Sequence, residues 1–209
     1  MPDFSFEDTA SADGFRTVAG VDEAGRGPWA GPVVAGAVIL ERASVPDDVL
    51  AGLDDSKKLS AKRRAQLFAA LSSSAGVRFG VGIADADEID RLNILQATML
   101  AMTRAVDDLG GGVDFVLVDG NRTPDWLLPC RAVVKGDGRS LSNAAASIVA
   151  KVTRDRIMSD LAGRFPAYGW ERNAGYGTAE HQAALVKAGV SPHHRRSFKP
   201  VRAVLDAVG

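Results

Sequence analysis

The sequence predicts an α/β fold, a mixed sheet layered against helices, and three observations carry that prediction. Two apolar runs near the start, "RTVAGVD" (16–22) and "PVVAGAVIL" (32–40), read as strands joined by a tight Gly/Pro connection. Strand-like and helix-like periodicities then alternate through the middle of the chain. With 209 residues, 46% of them hydrophobic, the chain suffices for one substantial core, and no linker divides it sharply.

The first fifteen residues, "MPDFSFEDTASADGF", are polar and rich in Ser and Asp, and are expected to form a disordered tail. They lack the basic start and apolar stretch of a signal peptide. After the first two strands comes a polar loop containing "LDDSKKLS". Ser60 then opens a helix, "SAKRRAQLFAALSSS", in which Leu67 and Leu71 stand four residues apart. "VRFGVGIA" (77–84) alternates as a third strand. One long helix is expected from Asp85 or Asp87, with Ile89, Leu92, Leu95, Met99 and Met102 as its apolar stripe. "DFVLVDG" (114–120) is a short apolar strand ending on Asp119, and "RAVVKGDG" (131–138) a strand running into Asp137. "SLSNAAASIVAKVTRDRIMSDLAGRF" (140–165) is the strongest helix, closed by Pro166. "AEHQAALVKAG" is a helix ended by Gly189, and "SFKPVRAVLDAV" a terminal amphipathic helix. The expected layout is a tail (1–15), an α/β domain (16–165) and a helical extension packed on it (166–209).

The net charge of −1 hides an asymmetry. Residues 130–209 carry 13 Lys/Arg against 6 Asp/Glu, and residues 1–129 carry 12 against 20. That polarity fits one surface facing a polyanion, while a pI near 6.3 argues against indiscriminate nucleic-acid binding. The single Cys130 excludes an intrachain disulfide and fits a reducing interior. No apolar run approaches a membrane span, so a cytoplasmic protein without a membrane partner is expected.

The chemistry concentrates in acids at the ends of expected strands: Asp22 with Glu23, then Asp119, then Asp137. Any one Asp before Gly is ordinary turn chemistry, but the recurrence is not, and a turn does not explain Glu23. Neighbours on a regular strand point to opposite faces, so Asp22 and Glu23 share a target only if the chain curls at Ala24-Gly25. An all-oxygen donor set suits Mg²⁺ or Mn²⁺ rather than zinc. Carboxylates around two such ions are a recurring apparatus for phosphodiester hydrolysis.

"GRGP" lacks the third Gly of a dinucleotide fingerprint, but Gly25 and Gly27 offer exposed backbone groups beside the acids. In the 140–165 helix Asn143, Ser147, Lys151 and Asp155 recur every four residues, either as a solvent face or as a face toward substrate phosphates. Tyr176, between two glycines, is placed to stack on a sugar or base. His193, His194, Arg195, Arg196 and Lys199 form either a basic patch or a solvated charged loop.

"VDEAGRGPWAGPVV", "DSKKLS", "VDGN", "KGD", "ASIVAKVTRDR", "GYGTAEH" and "PHHRRSFKPV" occur in the order and approximate spacing seen in the bacterial ribonuclease HII family. The resemblance spans about residues 17–201 and implies a ribonuclease H-like fold with a central five-stranded mixed sheet. It implies a metal-dependent endonuclease that cuts the RNA strand of RNA–DNA hybrids and incises 5′ of single ribonucleotides in DNA, leaving 3′-hydroxyl and 5′-phosphate ends. Its four metal-binding, catalytic acids fall on Asp22, Glu23, Asp119 and Asp137, with two Mn²⁺ or Mg²⁺ ions between them. Its reader of the ribose 2′-hydroxyl falls on Gly25, Arg26 and Gly27, its junction-sensing Tyr on Tyr176, and its phosphate contacts on Lys57, Ser147 and Lys151. It further implies a monomer. Trp29 and Ala144 depart from the family's usual residues without touching the acids. Two rival readings are a non-catalytic hybrid-binding module and a ribonuclease H-like nuclease acting on DNA junctions.

Overall fold

Runs of Val, Ala and Gly leave little side chain to separate a strand from whatever covers it, and the two runs near the start form the middle of the sheet. The computed structural model describes residues 1–208; Gly209, the end of the expected extension, lies outside the described residues. The runs become β1 (Val18–Ala24) and β2 (Val33–Leu40), antiparallel neighbours in which Asp22 pairs with Gly36 and Glu23 with Ala35. β3 (Val77–Ala84) adds antiparallel to β2, whereas β4 (Phe115–Asp119) and β5 (Cys130–Val133) add parallel on the other side. The order β3-β2-β1-β4-β5 makes one five-stranded mixed sheet with β1 at its centre. A central strand covered on both faces needs no polar alternation, which is why β1 and β2 read as continuous apolar runs.

Helix α6 (Leu141–Arg164) lies on one face, and α5 (Ile94–Asp107) on the other. Glycines set the approach on both sides. A methyl on Gly36 would sit 2.6 Å from the Ala146 carbonyl oxygen of α6, and one on Gly82 would sit 1.9 Å from that of Ala101 in α5. On the α6 side, α3 (Ala61–Ser73) buries Leu67 and Leu71, and its expected cap Ser60 accepts a hydrogen bond from Arg63 N. The single turn α2 (Asp47–Leu50) precedes it.

Three expectations are corrected. The long helix from Asp85 is two helices, α4 (Ala86–Leu92) and α5, broken at Asn93 with φ 71°. Asn tolerates that left-handed backbone, and its side chain caps α5 by accepting from Leu95 N and Gln96 N. The break resets the helical phase. Leu92 is left 40% exposed, and α5 buries Ala97, Ala101, Met102 and Ala105, of which Ala101 and Ala105 are small enough to bring the helix backbone onto Gly80 and Gly82. Second, the expected disordered tail contains a helix, α1 (Ser5–Ala12), because Phe4, Glu7 and Ala10 recur on one buried face among the Ser and Asp residues. Third, Asp137 does not end a strand. β5 stops at Val133, Lys135 turns through φ 57°, and Asp137 sits in a 3₁₀ turn, Gly136–Gly138, that leads into α6.

Beyond α6 the chain forms α7 (Trp170–Asn173), α8 (Ala179–Ala188) and α9 (Lys199–Val208). Gly36→Ala should lower stability by about 1–3 kcal/mol through overpacking against α6. Thermal unfolding of the variant checks this, and an unchanged Tm would mean that α6 shifts freely.

Candidate active site

The alternation of β1 sorts its two acids. Gly20 and Asp22 face α6, whereas Val21 and Glu23 face α5. β1 stays paired with β2 through Ala24, and Gly25, at φ 98°, turns only afterwards, so the chain does not curl in time to bring both acids to one point. Asp119, at the end of the parallel strand β4, and Asp137, on the turn before α6, come to Asp22 instead. Carboxylate oxygens of Asp22, Asp119 and Asp137 lie within 4.8 Å of one another. Glu23 stands outside that group and accepts from Arg26 Nη1 at 3.2 Å, in a cleft it shares with Asp119, Asn121 and Arg122.

The cluster is electrostatically incomplete. Burial, with Glu23 and Asp119 nearby, pushes the Asp22 carboxyl well above the ordinary carboxylate range. Burial and Asp119 raise Asp137, and burial raises Glu23 against the pull of Arg26. The cation at hand is Lys57, whose Nζ lies 3.6 Å from Asp137 on a side chain 75% exposed. Burial pulls Lys57 down, but Asp22, Asp137 and their acidic neighbours outweigh it and hold the ammonium charged. Beside the acids, buried Asn143 Oδ1 has no partner. Three converging carboxylates and an orphan amide oxygen form an all-oxygen donor set that fits a hard divalent cation, with the Lys57 ammonium as its present counter-charge.

Asn143 also explains how the acids are brought together. Its Nδ2 donates to Val21 O at 2.8 Å and Leu117 O at 3.0 Å, tying β1 to β4 immediately before their acids. Gly136 N donates to Asp119 Oδ1 at 2.6 Å, joining the turn to the strand.

A sequence-family model described as Ribonuclease HII matches residues 19–201. The chain belongs to the ribonuclease HII family. It is 60% identical over 205 residues to ribonuclease HII of Rhodospirillum rubrum, covering 98% of this chain and 92% of that one. Against ribonuclease HII of Paramagnetospirillum magneticum it is 57% identical over 201 residues, covering 96% and 97%. Among solved structures, ribonuclease H2 from Pyrococcus horikoshii superposes with a TM-score of 0.78 at 26% identity, covering 92% of this chain and 98% of that one. The protein is a ribonuclease H-type endonuclease of a divalent-metal-dependent family, and its acid cluster could hold such an ion.

Within this ribonuclease HII framework the other expected residues separate. Gly27 and Tyr176 are neighbours: a methyl on Gly27 would touch the Tyr176 ring at 3.5 Å, and the ring is 47% exposed. Arg26 is exposed above Glu23. Ser147 does not face outward. It is buried, donates to Ala144 O, and accepts from Ser56 N at 3.2 Å, so it pins the loop that carries Lys57. Lys151 pairs with Asp155 Oδ1 at 2.6 Å. The solvent-face reading of this stripe therefore fails at Asn143 and Ser147, both buried, and holds for the Lys151–Asp155 pair alone.

The basic cluster near the end divides: His194 and Arg195 are buried, His193 is half-buried, and Arg196 and Lys199 are exposed. Arg195 is fully buried, and its guanidinium donates to the carbonyls of Gly25, Arg26, Gly31 and Pro32. Arg154, buried in α6, donates to Ala30, Pro32 and Ala174. Burial without a carboxylate partner pushes Arg154 down to about 10 and Arg195 down to about 9, and both remain charged at neutral pH. Backbone Ser191 N donates to His194 Nδ1, which places the His194 proton on Nε2, directed at His181 Nε2 3.0 Å away. His181 Nε2 also accepts from Trp170, leaving its Nδ1–H to donate to Tyr176 O at 2.9 Å. Burial holds both rings neutral, His194 down to about 3. Arg154, Arg195, His181 and His194 thus fix the Gly25–Pro32 loop and Tyr176 side by side. A charge count suggests solvent for such residues; only the three-dimensional arrangement reveals their carbonyl partners.

A carboxyl whose folded pKa is raised contributes its stability below the unfolded value and loses it as pH rises through the folded one. In EDTA, Asp22→Asn should therefore unfold at a higher temperature than the parent at neutral pH, and the difference should shrink as pH falls toward about 4. Mn²⁺ should raise the parent's Tm and leave the variant's unmoved. A variant less stable than the parent at neutral pH would mean that Asp22 is neutralised from within the protein.

Proposed function

We propose that this ribonuclease HII hydrolyses the RNA strand of RNA–DNA hybrids and incises DNA on the 5′ side of single embedded ribonucleotides, acting as a cytoplasmic monomer in primer removal and ribonucleotide excision. The observation that carries this reading is an adjacency: Asp22 of the three-carboxylate cluster stands three residues before Gly25, which is buried against Arg154, and Gly27, exposed beside the Tyr176 ring, leaves bare backbone at the surface. The 2′-hydroxyl is the local difference between RNA and DNA, and it lies next to the phosphate to be cut. A reader that must touch that hydroxyl must therefore adjoin the hydrolytic centre.

Asp22, Asp119 and Asp137 would hold divalent ions, Mg²⁺ or Mn²⁺, with Glu23 completing the set from the neighbouring cleft. Two such ions would supply the Lewis-acid chemistry that makes water a nucleophile at neutral pH and stabilises a leaving 3′-oxygen. The chain's own groups do the rest. Arg195 holds the Gly25 and Arg26 carbonyls from inside, so that the exposed backbone of Gly27 would meet the ribose hydroxyl, with the Arg26 side chain exposed beside it. The Tyr176 ring, fixed through its carbonyl by His181, is placed to stack on the sugar at the junction. Lys57, on an exposed stem beside Asp137, would turn to a phosphate from a loop that Ser147 pins from behind. Lys151 would join it only by leaving Asp155. Among the described residues, no helix is long and apolar enough to cross a membrane.

An end-labelled DNA duplex carrying one ribonucleotide, incubated with Mg²⁺, Mn²⁺ or EDTA, tests the reading. The expected product is a metal-dependent nick on the 5′ side of the ribonucleotide, absent from an all-DNA control. Asp22→Asn should abolish it while sparing duplex binding. Tyr176→Ala should slow junction cleavage about tenfold, the loss of one stacking contact, and change plain-DNA affinity less. Cleavage of long hybrids alone would withdraw the junction role of Gly25–Gly27 and Tyr176.

A further inference from the structure

The family match begins at residue 19, yet the chain before it is built into the acid site. The first turn of any helix has N–H groups without intrahelical partners. In α6, Leu141 N donates to Asp3 O at 3.1 Å, Ser142 N to Glu7 Oε1 at 3.0 Å, and Asn143 N to Ser140 Oγ at 3.2 Å. Two of these three acceptors belong to the N-terminal segment. The hydroxyls of Ser140 and Ser142 also donate to Glu7 Oε1, so one buried carboxylate gathers the start of α6, where the helix dipole favours an anion.

The same segment grips the turn that bears Asp137. Asp3 N donates to Arg139 O at 3.2 Å. The Phe6 ring carries the Arg139 guanidinium 4.8 Å from its centroid and that of Arg131 at 5.5 Å, and Arg139 Nη1 reaches Val134 O at 3.3 Å. Both limbs of the turn are thereby fastened to α1, while Asp137 at its crest is flanked by two glycines that offer no side-chain anchor. Buried Phe4, packed in the cluster that contains Leu141, Ala144 and Ala145, secures the segment itself.

We infer that Phe6 and Glu7 are positioning residues for Asp137: the N-terminal segment holds the turn so that this carboxylate meets Asp22 and Asp119. The inference rests on the proposed reading that Asp137 holds a divalent ion. Phe6 and Glu7 touch neither substrate nor ion, and their effect is on the geometry of the donor set.

The test measures Mn²⁺ affinity calorimetrically, and the Mn²⁺ concentration that half-activates cleavage, in full-length Phe6→Ala and Glu7→Gln. Leu71→Ala, which loosens on α3 the same buried cluster that holds Phe4 and removes no contact to the turn, controls for lost stability, and Asp137→Asn for the ligand itself. Phe6→Ala and Glu7→Gln should each weaken Mn²⁺ binding about tenfold, the scale of losing support behind a ligand, with cleavage recovering at saturating Mn²⁺. Leu71→Ala should lower Tm and leave Mn²⁺ affinity unchanged. Parent-like affinity in both Phe6→Ala and Glu7→Gln, with Asp137→Asn impaired, overturns the inference and leaves the metal reading standing. An equal loss in Leu71→Ala also overturns it, because general softening would then be the cause. Parent-like affinity in Asp137→Asn overturns the metal reading, and the inference with it.

Discussion

Three carboxylates within 4.8 Å of one another repel, and the interior around them supplies too little positive charge to hold them. The rest of the fold works against that repulsion. β1 and β4 must be parallel neighbours so that Asp22 and Asp119 emerge at the same end of the sheet on the same face. The turn after β5 must bend back so that Asp137 meets them. Each requirement is met by neutral donors, from Asn143 to the paired strands and from the Gly136 amide to Asp119. Dipoles fix the acids without neutralising them, and the charge remains available to a cation from outside.

Helix α6 is where these supports meet. Asn143, Ser147 and Arg154 lie along its inward side and hold, in turn, the two acid-bearing strands, the Lys57 loop and the Gly25–Pro32 loop. A 24-residue helix is about 36 Å long, enough to reach from the acid cluster to the Gly25–Pro32 loop as one rigid piece. That explains an otherwise odd composition. A helix so deeply buried would ordinarily be apolar throughout, and here Asn143, Ser147 and Arg154 point inward because each has a backbone partner there.

Sequence periodicity makes β1 to β4, the α3 cap, α8 and α9 legible, since each is decided by local spacing, whereas the expected strand into Asp137 overruns β5, which stops at Val133. The long helix was misread at Asn93, because an Asn in left-handed backbone looks no different in sequence from one inside a helix. The N-terminal helix is hidden for another reason: four buried residues in twelve, Pro2, Phe4, Glu7 and Ala10, do not outweigh Ser and Asp in a composition. At the site, the acids were visible as acids. The separation of Glu23 from Asp22 was not, since it depends on β1 remaining paired through Ala24. Arg154, Arg195 and the two histidines were least legible, because their partners are carbonyl oxygens, and carbonyls leave no trace in residue identity.

The division of charge follows from that last point. Two buried guanidinium groups lie under the loop next to three acids, and among the described residues neither forms an ion pair with them. A guanidinium is a set of directed donors, and here those donors are occupied by the carbonyls of residues 25–32 and 174. Held that way, Arg154 and Arg195 shape the loop but do not quench the carboxylates. Lys57 is different, because a lysine on an exposed stem can approach Asp137 and leave again. The fold therefore spends its buried cations on backbone carbonyls and sets an exposed lysine at the acids, which leaves the carboxylates short of fixed positive charge.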